Sequence, residues 1–142
     1  MSAIRAFGAG TAAVAIAAGM VLSTAPAASA DVPLQWVGLG PDIWTLSDNG
    51  ACSGVIPVHF ETSPARPGHL TLRFVPQGQL AAPGCATTVR VQALTGLVSQ
   101  AHFVRVDGGP ATVDLATGTG VSLVSATASN LAKGVSNWVI VP

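Results

Sequence analysis

The sequence predicts an all-β chain: an antiparallel two-sheet sandwich of about seven or eight strands, preceded by a cleavable signal peptide. Three observations carry that expectation. After Asp31 no stretch repeats its apolar residues with the period of a helix. Gly and Pro recur about every eight to twelve residues, and the segments between them alternate apolar with polar side chains. Alternation with a period of two sends one set of side chains into a core and the other into water, the signature of an antiparallel sheet covered on one side.

The N-terminus reads as an address. Arg5 precedes the apolar run from Thr11 to Leu22, and Pro26 precedes Ala28-Ser29-Ala30, the order of a secretory signal peptide with an A-x-A cleavage site. About twelve apolar residues are too few to cross a bilayer that needs roughly 20. Cleavage after Ala30 is therefore expected to release a secreted or cell-envelope domain over residues 31–142. With no Cys at the junction to accept a lipid and no hydrophobic tail at the C-terminus, no membrane anchor is expected.

The elements follow in order. A first strand is expected near Leu34 to Leu46. The run Val55 to Glu61 places Ile56, Val58 and Phe60 on one side and Pro57, His59 and Glu61 on the other. The run His69 to Val75 does the same with Leu70, Leu72 and Phe74 against His69, Thr71 and Arg73. Joined by the turn-forming stretch Thr62 to Gly68, the two pair as a hairpin with Glu61 opposite His69, Phe60 opposite Leu70, Val58 opposite Leu72 and Ile56 opposite Phe74. Placement of the two runs in different sheets is the alternative. Five more strands are expected at Thr87 to Leu94, Ala101 to Val106, Ala111 to Ala116, Val121 to Thr127 and Ser136 to Val141, with a short turn at Asn130 to Gly134.

Cys52 and Cys85 are the only cysteines. In an exported chain a disulfide is the expected state, and neither residue has the C-x-x-C spacing of zinc or redox chemistry. In the chain-entropy model the closed loop adds about 3.5 to 4 kcal/mol.

The strand ending in Thr117-Gly-Thr-Gly120, the strand from Val121, the turn near Asn130 to Gly134 and the final Trp138-Val-Ile-Val141 strand resemble the closing E, F and G strands of immunoglobulin-like and fibronectin type III-like bacterial domains. The resemblance covers about 30 residues. It implies an immunoglobulin-like sandwich. The chain departs from antibody-type domains in having no Tyr for a tyrosine corner and in placing Cys52 ahead of a strand and Cys85 in a Pro-Gly-Cys turn. A compact closed barrel is the alternative architecture. With one Lys among many Ala, Gly, Val, Thr and Arg residues, the chain also looks like the small disulfide-linked exports of high-GC bacteria.

Charge narrows the function classes. Six basic and six acidic side chains amount to 8% of the sequence, about a third of the share of roughly 25% usual in soluble proteins. There is no clustered Lys and Arg to neutralise phosphates, so a nucleic-acid partner is not expected. His59-Phe60-Glu61 has the H-x-E spacing of zinc deaminases, but Pro83-Gly-Cys85 lacks the second cysteine, and that motif fails. In the expected hairpin His59, Glu61, His69 and Arg73 share one wet face, a possible binding patch that is also the ordinary state of a half-buried hairpin. No G-x-S-x-G elbow, phosphate loop or paired-carboxylate arrangement stands out, so no catalytic residue, resident metal or cofactor is expected.

Trp36 and Trp44 lie in a segment broken by Gly and Pro, where an exposed indole could stack on a sugar or anchor a protein. Trp138 alternates into an apolar strand and is expected in the core. The sequence thus points to a non-enzymatic binding or structural module of the cell envelope, with envelope polysaccharide or another secreted protein as partner. An inhibitor of a secreted hydrolase presenting the loop Thr62 to Gly68, and a carbohydrate-binding module, are the alternatives. An envelope pore subunit fits less well, because a chain without Tyr lacks the aromatic girdles such barrels use.

Overall fold

The structure, a computed structural model, describes residues 36–142. The signal peptide predicted over residues 1–30, and Leu34 and Gln35 of the predicted first strand, lie outside the described residues. Within them the chain is all-β. It runs through β1 (Val37–Gly38), β2 (Ile43–Leu46), β3 (Ser53–Ile56), β4 (Val58–Thr62), β5 (His69–Phe74), β6 (Gln77–Gly78), a 3-10 turn (Gln79–Ala81), β7 (Thr87–Thr95), β8 (Val98–Val106), β9 (Ala111–Ala116), β10 (Gly120–Ala128), β11 (Leu131–Lys133) and β12 (Val135–Val141).

These strands form three four-stranded antiparallel sheets, where two were expected. The β5 sheet has the order β1-β4-β5-β9, the β10 sheet the order β12-β10-β7-β8, and the β2 sheet the order β11-β2-β3-β6. Pro57 accounts for part of the extra division. It has no N–H to donate to a ladder, and the run predicted as one strand from Val55 to Glu61 breaks there, with Ile56 pairing with Ile43 in the β2 sheet and Val58 pairing with Phe74 in the β5 sheet. The first strand bends at the matching place. Val37 and Gly38 face Phe60 and His59, whereas Ile43 to Leu46 face Ile56 to Ser53, so one long hairpin is shared between two sheets. The stretch Asn130 to Gly134, expected as a turn, contains β11, which pairs with β2.

The β4–β5 hairpin forms in a different register from the one expected. Thr62 pairs with Leu70, Glu61 with Thr71, Phe60 with Leu72, His59 with Arg73 and Val58 with Phe74. The connection explains the two-residue shift. The Arg66 N–H donates to the Ser63 carbonyl at 3.0 Å and the His69 N–H to the Arg66 carbonyl at 3.2 Å. Two β-turns therefore follow each other, Ser63-Pro-Ala-Arg66 and Arg66-Pro-Gly-His69, each with Pro at its second position. Gly68 takes the φ of 74° that the second turn requires at its third position. A shift of two residues preserves the face of every side chain, so Phe60, Leu70, Leu72 and Phe74 still point inward and His59, Glu61, His69 and Arg73 outward.

All three sheets contribute to one core. Ile43 and Ile56 meet Val58, Leu70, Leu72, Phe74 and Leu115 from the β5 sheet, and Val89, Val91, Val124 and Val139 from the β10 sheet. The predicted disulfide is formed: Cys52, just before β3, is bonded to Cys85, just before β7, with a Cα separation of 5.8 Å. It joins the β2 sheet to the β10 sheet. Beside it the Asp48 carboxylate accepts from Ser129 Oγ at 2.7 Å, Thr88 Oγ1 at 2.8 Å and the Thr88 N–H at 3.0 Å, binding the β2–β3 turn to the start of β7 and the end of β10.

Candidate functional site

The outer face of the β5 sheet gathers most of the residues singled out in the sequence. Across it run His59, Arg73 and Thr112 in one row and Glu61, Thr71 and Asp114 in the next. Trp36 precedes β1 at the edge of this face, half-buried, with the Arg73 guanidinium 5.7 Å from its ring centroid. That is within cation–π range, and it covers one face of the indole.

His69 lies on the same outward face, and its side chain engages Asp114. Its Nδ1 lies 3.3 Å from Asp114 Oδ2, which also accepts from Arg66 Nη2 at 2.6 Å, while Thr71 Oγ1 donates to Asp114 Oδ1 at 3.2 Å. Burial would raise the pKa of Asp114, but the Arg66 and Thr71 hydrogen bonds, the Arg66 charge and the His69 contact hold it below the ordinary aspartate value. The cluster fastens the double-Pro turn to β9, which accounts for Arg66, His69 and Asp114 by structure. Among the described residues, no three His, Cys, Asp or Glu side chains come together in a group that could hold a metal ion.

Trp44 stands elsewhere, on the outer face of the β2 sheet, 57% exposed. Its row runs Lys133, Trp44, Val55 and Gln77, so the indole has a cation on one side and an aliphatic side chain on the other.

The outer face of the β10 sheet is where sequence reasoning fell short. Trp138, expected in the core, is 64% exposed, and Ile140 beside it is 76% exposed. The strand carries apolar residues on both faces, with Val135, Val139 and Val141 buried and Trp138 and Ile140 outside. Alternation alone could not say which set faces inward. Register makes the outer residues contiguous. Trp138 pairs with Leu123, which pairs with Leu94; Ile140 pairs with Val121 in the next row. Leu97, in the tight β7–β8 connection, extends the same end of the sheet and is exposed. No charged residue lies among these six. Arg90 and Arg105 lie toward the opposite end of the face, beside the exposed ring of Phe103. A shallow hollow of about 180 Å³ there is lined by Thr88, Arg90, Phe103, Thr127, Ala128 and Ser129.

The signal that could have located the apolar end was the coincidence of outward positions on three strands. Leu94 breaks the polar half of an otherwise regular alternation in β7, and Val121 with Leu123 and Trp138 with Ile140 make the outward halves of β10 and β12 apolar at the same end. No protein-family model, curated protein or solved structure matches the chain.

Proposed function

We propose that the chain is an exported, non-enzymatic binding or structural module of the cell envelope, and that it works by protein contact through the apolar end of the outer face of the β10 sheet. The exposure of Trp138 and Ile140 beside Val121, Leu123 and Leu94 carries this reading. Contiguous apolar surface of this kind on a soluble domain is where partners dock, and an aromatic with aliphatic neighbours is the composition of an interface centre. The disulfide agrees with an oxidising destination reached by cleavage after Ala30. Within the all-β class, we read the fold as an immunoglobulin-like sandwich whose closing strands are β9, β10 and β12.

The test places a photo-crosslinking residue at Ile140 in the exporting cell, with Thr112 on the outer face of the β5 sheet as control. Covalent protein adducts are expected from position 140 and not from 112. Equal yields, or none, would overturn the reading.

One observation favours a second reading, a carbohydrate-binding module. Trp44 presents its indole between Lys133 and Val55, with Gln77 one strand further on, and an indole flanked by polar groups can stack on a sugar ring. Under this reading Trp44→Ala abolishes retention on insoluble wall polysaccharide while Trp138→Ser leaves it unchanged.

A further inference from the structure

We infer that the apolar end of the β10 sheet is a self-association surface, on which a second copy of this chain packs face to face through Leu94, Leu97, Val121, Leu123, Trp138 and Ile140. This rests on the reading above, that the face contacts protein, and names the partner. Area supports this: Leu97 is 102% exposed, Ile140 76%, Trp138 64%, Val121 56% and Leu94 40%. With large apolar side chains offering on the order of 150–250 Å² each, the patch comes to roughly 600 Å². That is the top of the range for the largest patch on an ordinary monomer, about 300–600 Å², and two such patches bury about 1,200 Å², the lower bound of a standard stable interface.

A two-fold axis sets the same patch against itself, which is tolerable only where no like charges become opposed. Here the patch has no charge, and the two arginines of the face, Arg90 and Arg105, lie toward its other end. With the axis through the apolar end, the arginine ends of the two copies project in opposite directions. Sheets stack face to face about 10 Å apart, their side chains interdigitating, and a flat field of Leu, Val, Ile and Trp suits that geometry.

β12 is an edge strand of seven residues without a charge, the kind that extends by pairing with another chain. That edge is partly obstructed. The Trp138 N–H donates to Asn137 Oδ1 at 2.8 Å, Asn137 Nδ2 donates to the Leu39 carbonyl at 2.8 Å, and just past the strand the Pro142 carbonyl accepts the Gly68 N–H at 2.7 Å. These contacts interrupt the edge at its middle and its end, while the face is open.

Sedimentation equilibrium of the exported, disulfide-bonded chain tests the inference. Association to a dimer in the micromolar range is expected, with Trp138→Ser combined with Ile140→Ser weakening it by about 100-fold or more. Leu97→Asp, at a fully exposed turn position where folding is indifferent to the change, is expected to do the same by placing like charges near the two-fold contact. A chain that stays monomeric to millimolar concentration overturns the inference, as does a dimer whose affinity neither variant alters. So does a monomer that instead floats with anionic phospholipid vesicles, which would give the face to lipid. Adducts from position 140 to proteins other than this chain, with the purified chain monomeric, would leave the reading of a protein-docking face standing and remove only the second copy as its occupant.

Discussion

Asp48 illustrates how one carboxylate can hold several elements. It sits in the β2–β3 turn, where Ser47 Oγ donates to Asn49 Oδ1 at 2.6 Å and the Cys52 N–H donates to Ser47 Oγ at 3.0 Å. The carboxylate itself points away from that turn to Ser129 and Thr88. Burial acts to raise its pKa, but the hydrogen bonds from Ser129 and Thr88, with the Arg105 charge, hold it below the ordinary value of 3.8. Asp114 is lowered in the same sense by Arg66, Thr71 and His69. A carboxylate whose pKa is lower folded than unfolded stabilises the fold fully at pH values above its unfolded pKa. That contribution fades as pH falls through the unfolded value and is gone below the folded one. Stability should therefore decline from about pH 5 downward. Asp48→Asn keeps the shape but loses the charge, and should cost about 1 kcal/mol at neutral pH while making the decline shallower. Urea unfolding at pH 7, 5, 4 and 3 reads both effects. A variant with the wild-type slope would show that Asp48 does not contribute to acid lability.

At the scale of elements, what could be read from the sequence depended on whether one physical rule acted alone. The core-facing set Leu70, Leu72 and Phe74 was legible because every intervening residue is polar or charged. The ladder partners were not, since a two-residue shift leaves every face unchanged and only the pair of Pro turns decides it. The division at Pro57 was foreshadowed by the missing N–H, but two sheets sharing one hairpin is a tertiary outcome. The buried face of β12 was illegible for the opposite reason: two apolar sets compete within Val135 to Val141. The same strand shows how an edge without charge is protected, since Asn137 occupies the Trp138 N–H and reaches across to Leu39. Asn137→Val removes both bonds and raises the β-propensity of the strand. It should give slow, concentration-dependent aggregation, followed by light scattering, with aggregates rich in intermolecular strand. Unchanged solubility at high concentration would show that Asn137 does not protect the edge.

At the scale of the molecule, the fold has to hold three small sheets on one core with few charges to orient them. Two sheets are continuous through the hairpin bent at Pro57, and β11 leads directly into β12. The β2–β3 turn, by contrast, lies beside the β10 sheet through contacts far apart in sequence: Asn130 Nδ2 donating to the Ser47 carbonyl at 2.8 Å, the bonds of Asp48, and the Cys52–Cys85 bridge. Of these the bridge alone does not depend on pH or on competition with water. It closes a loop of 33 positions, so in the entropic model its removal destabilises the native state by about 3.5 to 4 kcal/mol, within the roughly 2–5 range seen for native disulfides of small secreted domains. That is a large fraction of the roughly 5–15 kcal/mol that keeps an ordinary domain folded. Cys52→Ala with Cys85→Ala should therefore lower the urea midpoint and raise the m-value, because the unbridged unfolded chain is more expanded and exposes more surface. Residue-resolved hydrogen exchange should then show protection falling first at β2, β3 and the start of β7, with the centres of β5 and β10 last. Uniform loss of protection would mean that the three sheets unfold as one unit and that the bridge acts only on the unfolded chain. Early, local loss would mean that it also holds the β2 sheet in place, and that a reducing compartment would loosen that sheet while the rest of the core remained.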